Sequence, residues 1–273
     1  MKELENLKEA VLKEYPRMQR ESGFRFNCHE GISCFNKCCA DVNIFLTPYD
    51  VIRLKNRLKI SSQEFLDKYT LLPIDESQNH PVVMLKMMAD EDKSCPFVRA
   101  GGCSVYGDRP WSCRMFPLGV ASPKESNGCD GGEFYFMIEE PVCQGYLQEK
   151  HQTVGEWVEE QGVGQYSEMG ELFKEVSLHD FFKERKQLTP AKLEMFYTVC
   201  YNIDKFREFI FGSSFLKRFD VEEETVNDIR TDDEELLKFG FNWLKYCLFG
   251  DKTMRVRAGN DAAPRVDTAA NVG

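Results

Sequence analysis

The chain has 273 residues, 42% of them hydrophobic, and carries 35 Lys and Arg against 45 Asp and Glu, a formal charge of −10. That length and apolar content can build a substantial core, which excludes a disordered chain and a tiny stapled scaffold and leaves one large domain or two modest ones. The negative field opposes attraction to nucleic acid or to an anionic membrane, so neither is expected as a partner.

The first fifteen residues set Leu4, Leu7, Val11 and Tyr15 at helical spacing between charges, which predicts an amphipathic helix rather than a secretory signal. No window approaches the run of about eighteen apolar residues that spans a bilayer, so a cytoplasmic protein is expected. The 11 cysteines must then be read for a reducing compartment. An odd number suits no complete disulfide framework, and clustered cytosolic thiols point to metal ligation or catalysis.

Thr47-Pro48-Tyr49-Asp50 supplies an N-cap, a proline at the first helical position and an acid in the first turn, ahead of Val51, Leu54 and Leu58. Ser61 and Glu64 have the spacing of a capping box before Phe65, Leu66 and Tyr69. A buried strand is predicted within residues 81–88, a hairpin from Cys95 to Tyr106 turning at Gly101-Gly102, and another strand over Glu133 to Ile138.

Beyond about residue 150 the pattern becomes helical. Thr153 with Glu156 opens one helix, Thr189-Pro190 opens a second with Leu193, Phe196, Cys200 and Ile203 in register, and Thr231 with Glu234 opens a third carrying Leu237, Phe241, Leu244 and Leu248. The expected fold is therefore α+β, predominantly helical, with a small antiparallel β element between about residues 82 and 140 carrying part of the site. Residues 1–150 read as a metal-binding domain, 151–250 as a helical region packed on it, and 251–273 as a disordered polar tail.

The chemistry lies in the cysteines: Cys28-x5-Cys34-x3-Cys38-Cys39, then Cys95-x7-Cys103-x9-Cys113, then Cys129 and Cys143. Thiolates are soft donors for zinc, copper(I) or iron–sulfur clusters. Structural zinc commonly uses C-x2-C knuckles, and this chain has none. Consecutive side chains diverge, so the Cys38-Cys39 pair sits awkwardly on one zinc, whereas a cluster of several irons accepts thiolates from different directions. Iron–sulfur is thus preferred to zinc. The C-x3-C-x2-C spacing of radical S-adenosylmethionine enzymes is missing, as are a P-loop and a nucleophile elbow.

The runs FNCHEGISCFNKCC, LTPYDVIRLKNRL with SSQEFLDKYT, and CPFVRAGGCSVYGDRPWSCRMFPL resemble, in that order, the bacterial and archaeal YkgJ-type cysteine-cluster proteins. That family is described as a zinc- or iron-chelating domain and also contains the flagellin lysine N-methylases. The resemblance spans roughly residues 24 to 118 and implies metal binding by Cys28, Cys34, Cys38, Cys39, Cys95, Cys103 and Cys113. The gap of five residues before Cys34 departs from the family's tighter C-x2-C-x2-CC form.

Cys143 closely follows the last predicted strand and reads either as an eighth ligand or as a small buried side chain. Cys129 lies in a Gly-rich loop and reads as a solvent-facing thiol, whereas Cys200 and Cys247 sit on apolar stripes and read as core. The four histidines show no paired ligand spacing and are expected at the surface. Arg109 and Arg114 flank Cys113; their guanidinium groups are candidates to bind cluster sulfurs or an anion, or else to pair with a carboxylate such as Asp108.

The preferred function is a metal-binding module holding an iron–sulfur cluster, of the 4Fe–4S type, in a redox or cluster-dependent role and docking a protein partner. Two alternatives remain open. One is a cluster-assisted protein lysine N-methyltransferase, implied by the resemblance; the other is structural zinc.

Overall fold

The computed structural model describes residues 16–73, 79–121, 133–183 and 187–257. The helix expected over residues 1–15, Cys129 and the tail from residue 258 onward lie outside the described residues. Described strands are β1 (Gly23–Arg25), β2 (Phe45–Leu46), β3 (Thr70–Leu71), β4 (Val83–Leu85), β5 (Val98–Arg99), β6 (Gly102–Cys103), β7 (Leu118–Ala121), β8 (Phe134–Met137) and β9 (His151–Thr153). Described helices are α1 (Pro48–Leu58), α2 (Ser62–Tyr69), α3 (Trp111–Met115), α4 (Val154–Glu160), α5 (Gly164–Ser177), α6 (Asp180–Lys183), α7 (Pro190–Tyr201), α8 (Ile203–Gly212), α9 (Phe215–Arg218), α10 (Glu223–Thr231) and α11 (Asp233–Leu244). Helices with small antiparallel ladders make the fold α+β.

The chain forms two units, and their division is not the single cut near residue 150. The cysteine-rich unit takes residues 1–45 and 85–167, and the helical unit takes 46–84 and 168–273. Helices α1 and α2 therefore belong with the C-terminal helices. A linear reading missed this because it groups residues by sequence neighbourhood, whereas amphipathic helices group by the apolar faces they bury.

In the cysteine-rich unit, β1 pairs antiparallel with β9, Phe24 opposite Gln152, and β7 pairs with β8, Gly119 opposite Phe136. Phe24, Phe26, Met115, Leu118, Val154, Trp157 and Val163 form the buried core beneath these ladders. Phe26 meets Trp157 edge-on at 5.5 Å and Phe116 at 5.8 Å. The Trp157 indole N–H donates to the Met115 carbonyl at 3.2 Å, so the ring is buried with its polar atom satisfied. Helix α4 starts as expected, with a Thr153–Glu156 capping box. The β1–β9 pairing was not anticipated: three-residue strands have too few alternations to register as period two.

The helical unit confirms the cap at Thr47, where Asp50 completes a capping box and Lys59 ends the helix in the left-handed region. Ser61 accepts from the Glu64 N–H ahead of α2. Three details differ from expectation. The Thr189-Pro190 helix ends at Tyr201 and Ile203 begins α8, because Asn202 leaves helical backbone and its side chain caps the next helix through the Lys205 N–H. Helix α11 is capped by Asp232, which accepts from the N–H groups of both Glu234 and Glu235, while Thr231 closes α10. Asp offers two acceptor oxygens at this position, and its charge complements the helix dipole. Last, His80 is not on the surface: it stacks on Phe196 at 4.9 Å, and burial holds its pKa below the ordinary value.

Leu237, Leu244, Phe241 and Leu248 are all buried, as their stripe requires. The stripe continues through a π-turn at Lys245–Phe249. Order then persists past the expected start of the tail. Phe219 bridges Val256, the Asp220 N–H reaches the Arg255 carbonyl at 2.8 Å, and the Arg257 N–H reaches that of Arg218 at 2.9 Å. Backbone pairing needs no apolar side chains, so composition alone missed it.

Candidate metal centre

The chain from Asn27 to Cys39 is wound by tight turns, closed by Ile32 N–H to His29 carbonyl at 3.2 Å, Lys37 N–H to Cys34 carbonyl at 2.9 Å and Cys39 N–H to Asn36 carbonyl at 3.0 Å. Asn36 takes φ 68°, a conformation its short polar side chain tolerates, and its amide donates to the Arg99 carbonyl at 3.0 Å. Cys34, Cys38 and Cys39 thus hang from one coil.

One end of this coil lies against the Cys143–Gly145 segment. The Asn27 N–H donates to the Gly145 carbonyl at 3.1 Å, and the Gln144 N–H donates to Cys34 Sγ at 3.1 Å. Ser33 Oγ donates to Gln144 Oε1 at 2.6 Å. Position 145 must be glycine, since a Cβ there would stand 2.5 Å from the Phe26 ring. The other end meets the hairpin: the Cys95 N–H donates to the Cys39 carbonyl at 2.8 Å, and Ala40 bridges Ser94. Within the hairpin Val98 faces Cys103 and Arg99 faces Gly102, so the chain reverses at Ala100-Gly101. Gly102, at φ 108°, takes the backbone conformation that L side chains resist.

Cys113 sits on α3, a one-turn helix tied down by the two arginines. Arg114 donates to the Arg109 carbonyl at 3.1 Å, to the Gln161 carbonyl at 2.6 Å and to the Gly107 carbonyl, and its guanidinium lies 4.4 Å over the Tyr166 ring. Arg109 donates to the Tyr106 carbonyl and to Gln161 Oε1, with its guanidinium 3.8 Å over the Tyr106 ring. Gln161 is therefore a site-supporting residue that sequence reasoning missed; a glutamine at a helix end carries no motif. Arg114 donors are turned to backbone carbonyls, which only a planar fork can serve together. Arg114→Lys is accordingly expected to cost about 2–4 kcal/mol of stability, because buried carbonyls lose charged partners, while metal content per folded chain stays unchanged. Chemical denaturation alongside metal analysis of the folded fraction checks this, and metal loss at unchanged stability would instead make Arg114 a cofactor contact.

The thiols are placed close enough to perturb one another. Cys28 is pushed up to about 11, first by burial and then by Cys38, Cys143 and Cys34, with Arg109 opposing. Cys38 is lowered to about 7 by a hydrogen bond with Cys39, against burial, and Cys39 is raised as the partner that keeps the proton. The neighbours that further raise Cys39 are Cys113 and Cys95. Cys95 and Cys143 are raised chiefly by burial, Cys143 also by Cys34 and Cys38. Arg109, its own pKa lowered by burial, is near enough to sense Cys113 and Cys103.

The structure thus gathers Cys28, Cys34, Cys38, Cys39, Cys95, Cys103, Cys113 and Cys143 in one unit, all as free thiols. Against these eight, a family model described as "CxxCxxCC: Putative zinc- or iron-chelating domain" matches residues 27–144. Residues 27–144 are similar to that domain. No curated protein and no solved structure matches the chain.

The segment similar to that domain offers a metal donors of one kind. Its His29 is occupied locally, Nδ1 accepting from the Gly31 N–H at 3.1 Å and Nε2 lying 3.4 Å from Gln148 Oε1. Thiols, with a backbone N–H already directed at Cys34 Sγ, suit a thiophilic ion or cluster. Among the described residues no three His, Cys, Asp or Glu side chains already stand in an arrangement that holds a metal ion. Closing the thiols on a cation takes side-chain rotation and loss of their protons, both driven by the cation's charge. Cys200 and Cys247 belong to the helical unit, where burial pushes the first well above the ordinary thiol value and the second up to about 11, so both remain protonated. Among the described residues no helix is long and apolar enough to cross a membrane.

Proposed function

We propose that the segment similar to the CxxCxxCC domain holds iron as an iron–sulfur cluster of the 4Fe–4S type and serves a redox or cluster-dependent role. The observation that carries this reading is the donor set: eight thiols in one unit, two of them consecutive in the chain. A cluster presents several irons on different faces, so it accepts thiolates approaching from different directions. A single structural zinc is closed by four ligands and leaves half of this set unused.

Protein purified without oxygen is expected to be brown, with thiolate-to-iron absorption in the visible and acid-labile sulfide matching iron. Stoichiometric zinc without iron, from cells grown iron-replete, would overturn the reading in favour of structural zinc. Lysine methylation rests on the family resemblance alone, and the helical unit is assigned to docking a protein partner.

A further inference from the structure

We propose that Cys34 and Cys143 form a reversible disulfide in the metal-free chain, closing the coil covalently onto the Cys143–Gly145 turn. Only the effect of this bond on metal uptake rests on the metal-binding reading above; the bond itself does not.

Both cysteines belong to the cysteine-rich unit and are free thiols. The Gln144 N–H, joined to Cys143 through their shared peptide bond, donates to Cys34 Sγ at 3.1 Å, so the Cys34 sulfur lies beside the Cys143 backbone. Ser33 Oγ donates to Gln144 Oε1 at 2.6 Å, and the Asn27 N–H donates to the Gly145 carbonyl at 3.1 Å. These bonds fix the two segments against each other, and the two thiols meet between them in a side-chain hydrogen bond. A disulfide needs this arrangement, with backbones held a side chain's reach apart and the sulfurs turned toward each other.

Among the described residues Cys38 and Cys39 are also hydrogen-bonded side chain to side chain. Consecutive cysteines can join only through a tight ring that twists the peptide between them out of its plane. The N–H of that peptide is already committed to the Asn36 carbonyl at 3.0 Å. The long-range pair therefore oxidises first.

Cys143 is partly exposed whereas Cys34 is buried, so Cys143 meets a soluble oxidant such as glutathione disulfide. Its thiol gives up a proton and attacks one sulfur of the oxidant, forming a mixed disulfide and expelling one glutathione thiolate, which takes the proton. Cys34, deprotonated in turn, attacks the Cys143 sulfur of the mixed disulfide and expels the second glutathione in the same way. Two protein thiols are oxidised, and one glutathione disulfide is reduced to two glutathione thiols. Once joined, Cys34 and Cys143 are withdrawn from the donor set, so metal enters only after reduction.

The test is a peptide map of the full-length protein, stripped of metal by a chelator under reductant, equilibrated in glutathione buffers of increasing oxidation and then alkylated. The first link to appear is expected to join the peptides of Cys34 and Cys143 while Cys38 and Cys39 are alkylated, and Cys34→Ser is expected to retain glutathione on Cys143. A first link between any other pair, or no link in glutathione disulfide alone, overturns the proposal, and the unmutated chain decides this even where the variant fails to fold. Zinc uptake by the oxidised chain is expected to be lost and to return on reduction; equal uptake in both states overturns the gate. A reduced chain that takes up neither zinc nor iron overturns the metal-binding reading, while the peptide map still decides the disulfide.

Discussion

Replacing Cys38, Cys39, Cys103 or Cys113 singly by serine is expected to remove metal and to unfold part of the cysteine-rich unit. A serine hydroxyl is a harder and far less acidic donor than a thiol, so it cannot stand in for a thiolate on zinc or iron. Metal binding is folding free energy where the site is made by long-range contacts. Cys39 and Cys95, joined through the backbone at 2.8 Å, come from opposite ends of a long excursion of the chain through the helical unit. The lost contribution is on the order of 10 kcal/mol for a structural metal, enough to melt the local structure at ordinary temperature.

The controls are Cys200→Ser and Cys247→Ser. Cys200 is 1% exposed in the helical unit, so its serine variant should lose about 1–3 kcal/mol from an uncompensated hydroxyl while keeping its full metal complement. Metal analysis with thermal unfolding on the six variants decides the matter. A full metal complement in both the Cys38 and Cys113 variants would overturn the ligand assignment.

Lys55→Met is expected to destabilise the helical unit by about 2–3 kcal/mol, because it removes one of the two counter-charges of Asp233 and a charged hydrogen bond. Lys55 Nζ lies 2.8 Å from Asp233 and 3.3 Å from Asp204, with 7% of its side chain exposed against 12% for Asp233. Arg207 adds a second contact to Asp233 at 2.5 Å. Burial alone would raise the Asp233 pKa, but hydrogen bonds from Lys55 and Arg207 outweigh it and hold the carboxyl below the usual range. A depressed acid stabilises the fold above its unfolded pKa and loses that contribution as pH falls through the folded value. The unmutated unit should therefore weaken as pH falls below about 4, in the carboxylate range, and Lys55→Met, which lets the folded pKa rise toward the unfolded value, should make that acid-dependent loss smaller. Urea unfolding across pH 2 to 7 measures both. An unchanged midpoint at pH 7 would show that the ion pair adds nothing net.

Local signals carried far in this protein. Thr47 with Asp50, Thr153 with Glu156 and Thr189-Pro190 start helices where capping chemistry requires, since each satisfies orphan N–H groups within its own first turn. The hairpin, which reverses at Ala100-Gly101 one residue before the expected Gly101-Gly102, and the strand at Phe134–Met137 follow from a glycine-containing turn and from an aromatic, β-forming run. The thiol-rich composition of the N-terminal half pointed to soft-metal chemistry, because no other side chain offers that donor.

Tertiary structure decided what spacing could not. Residues 46–84 leave the cysteine-rich unit for the helical one, so the coil ending at Cys39 and the hairpin beginning at Cys95 are close in space although 56 positions apart. Arg109 and Arg114, equally suited by sequence to a sulfur or a carboxylate, spend their donors on carbonyls and on Gln161 instead. Residue type limits which atoms can bond, and that limit is written in the chain itself. Which donors share a centre depends on turns and ladders formed between distant residues, and these bonds use backbone groups that every amino acid carries alike.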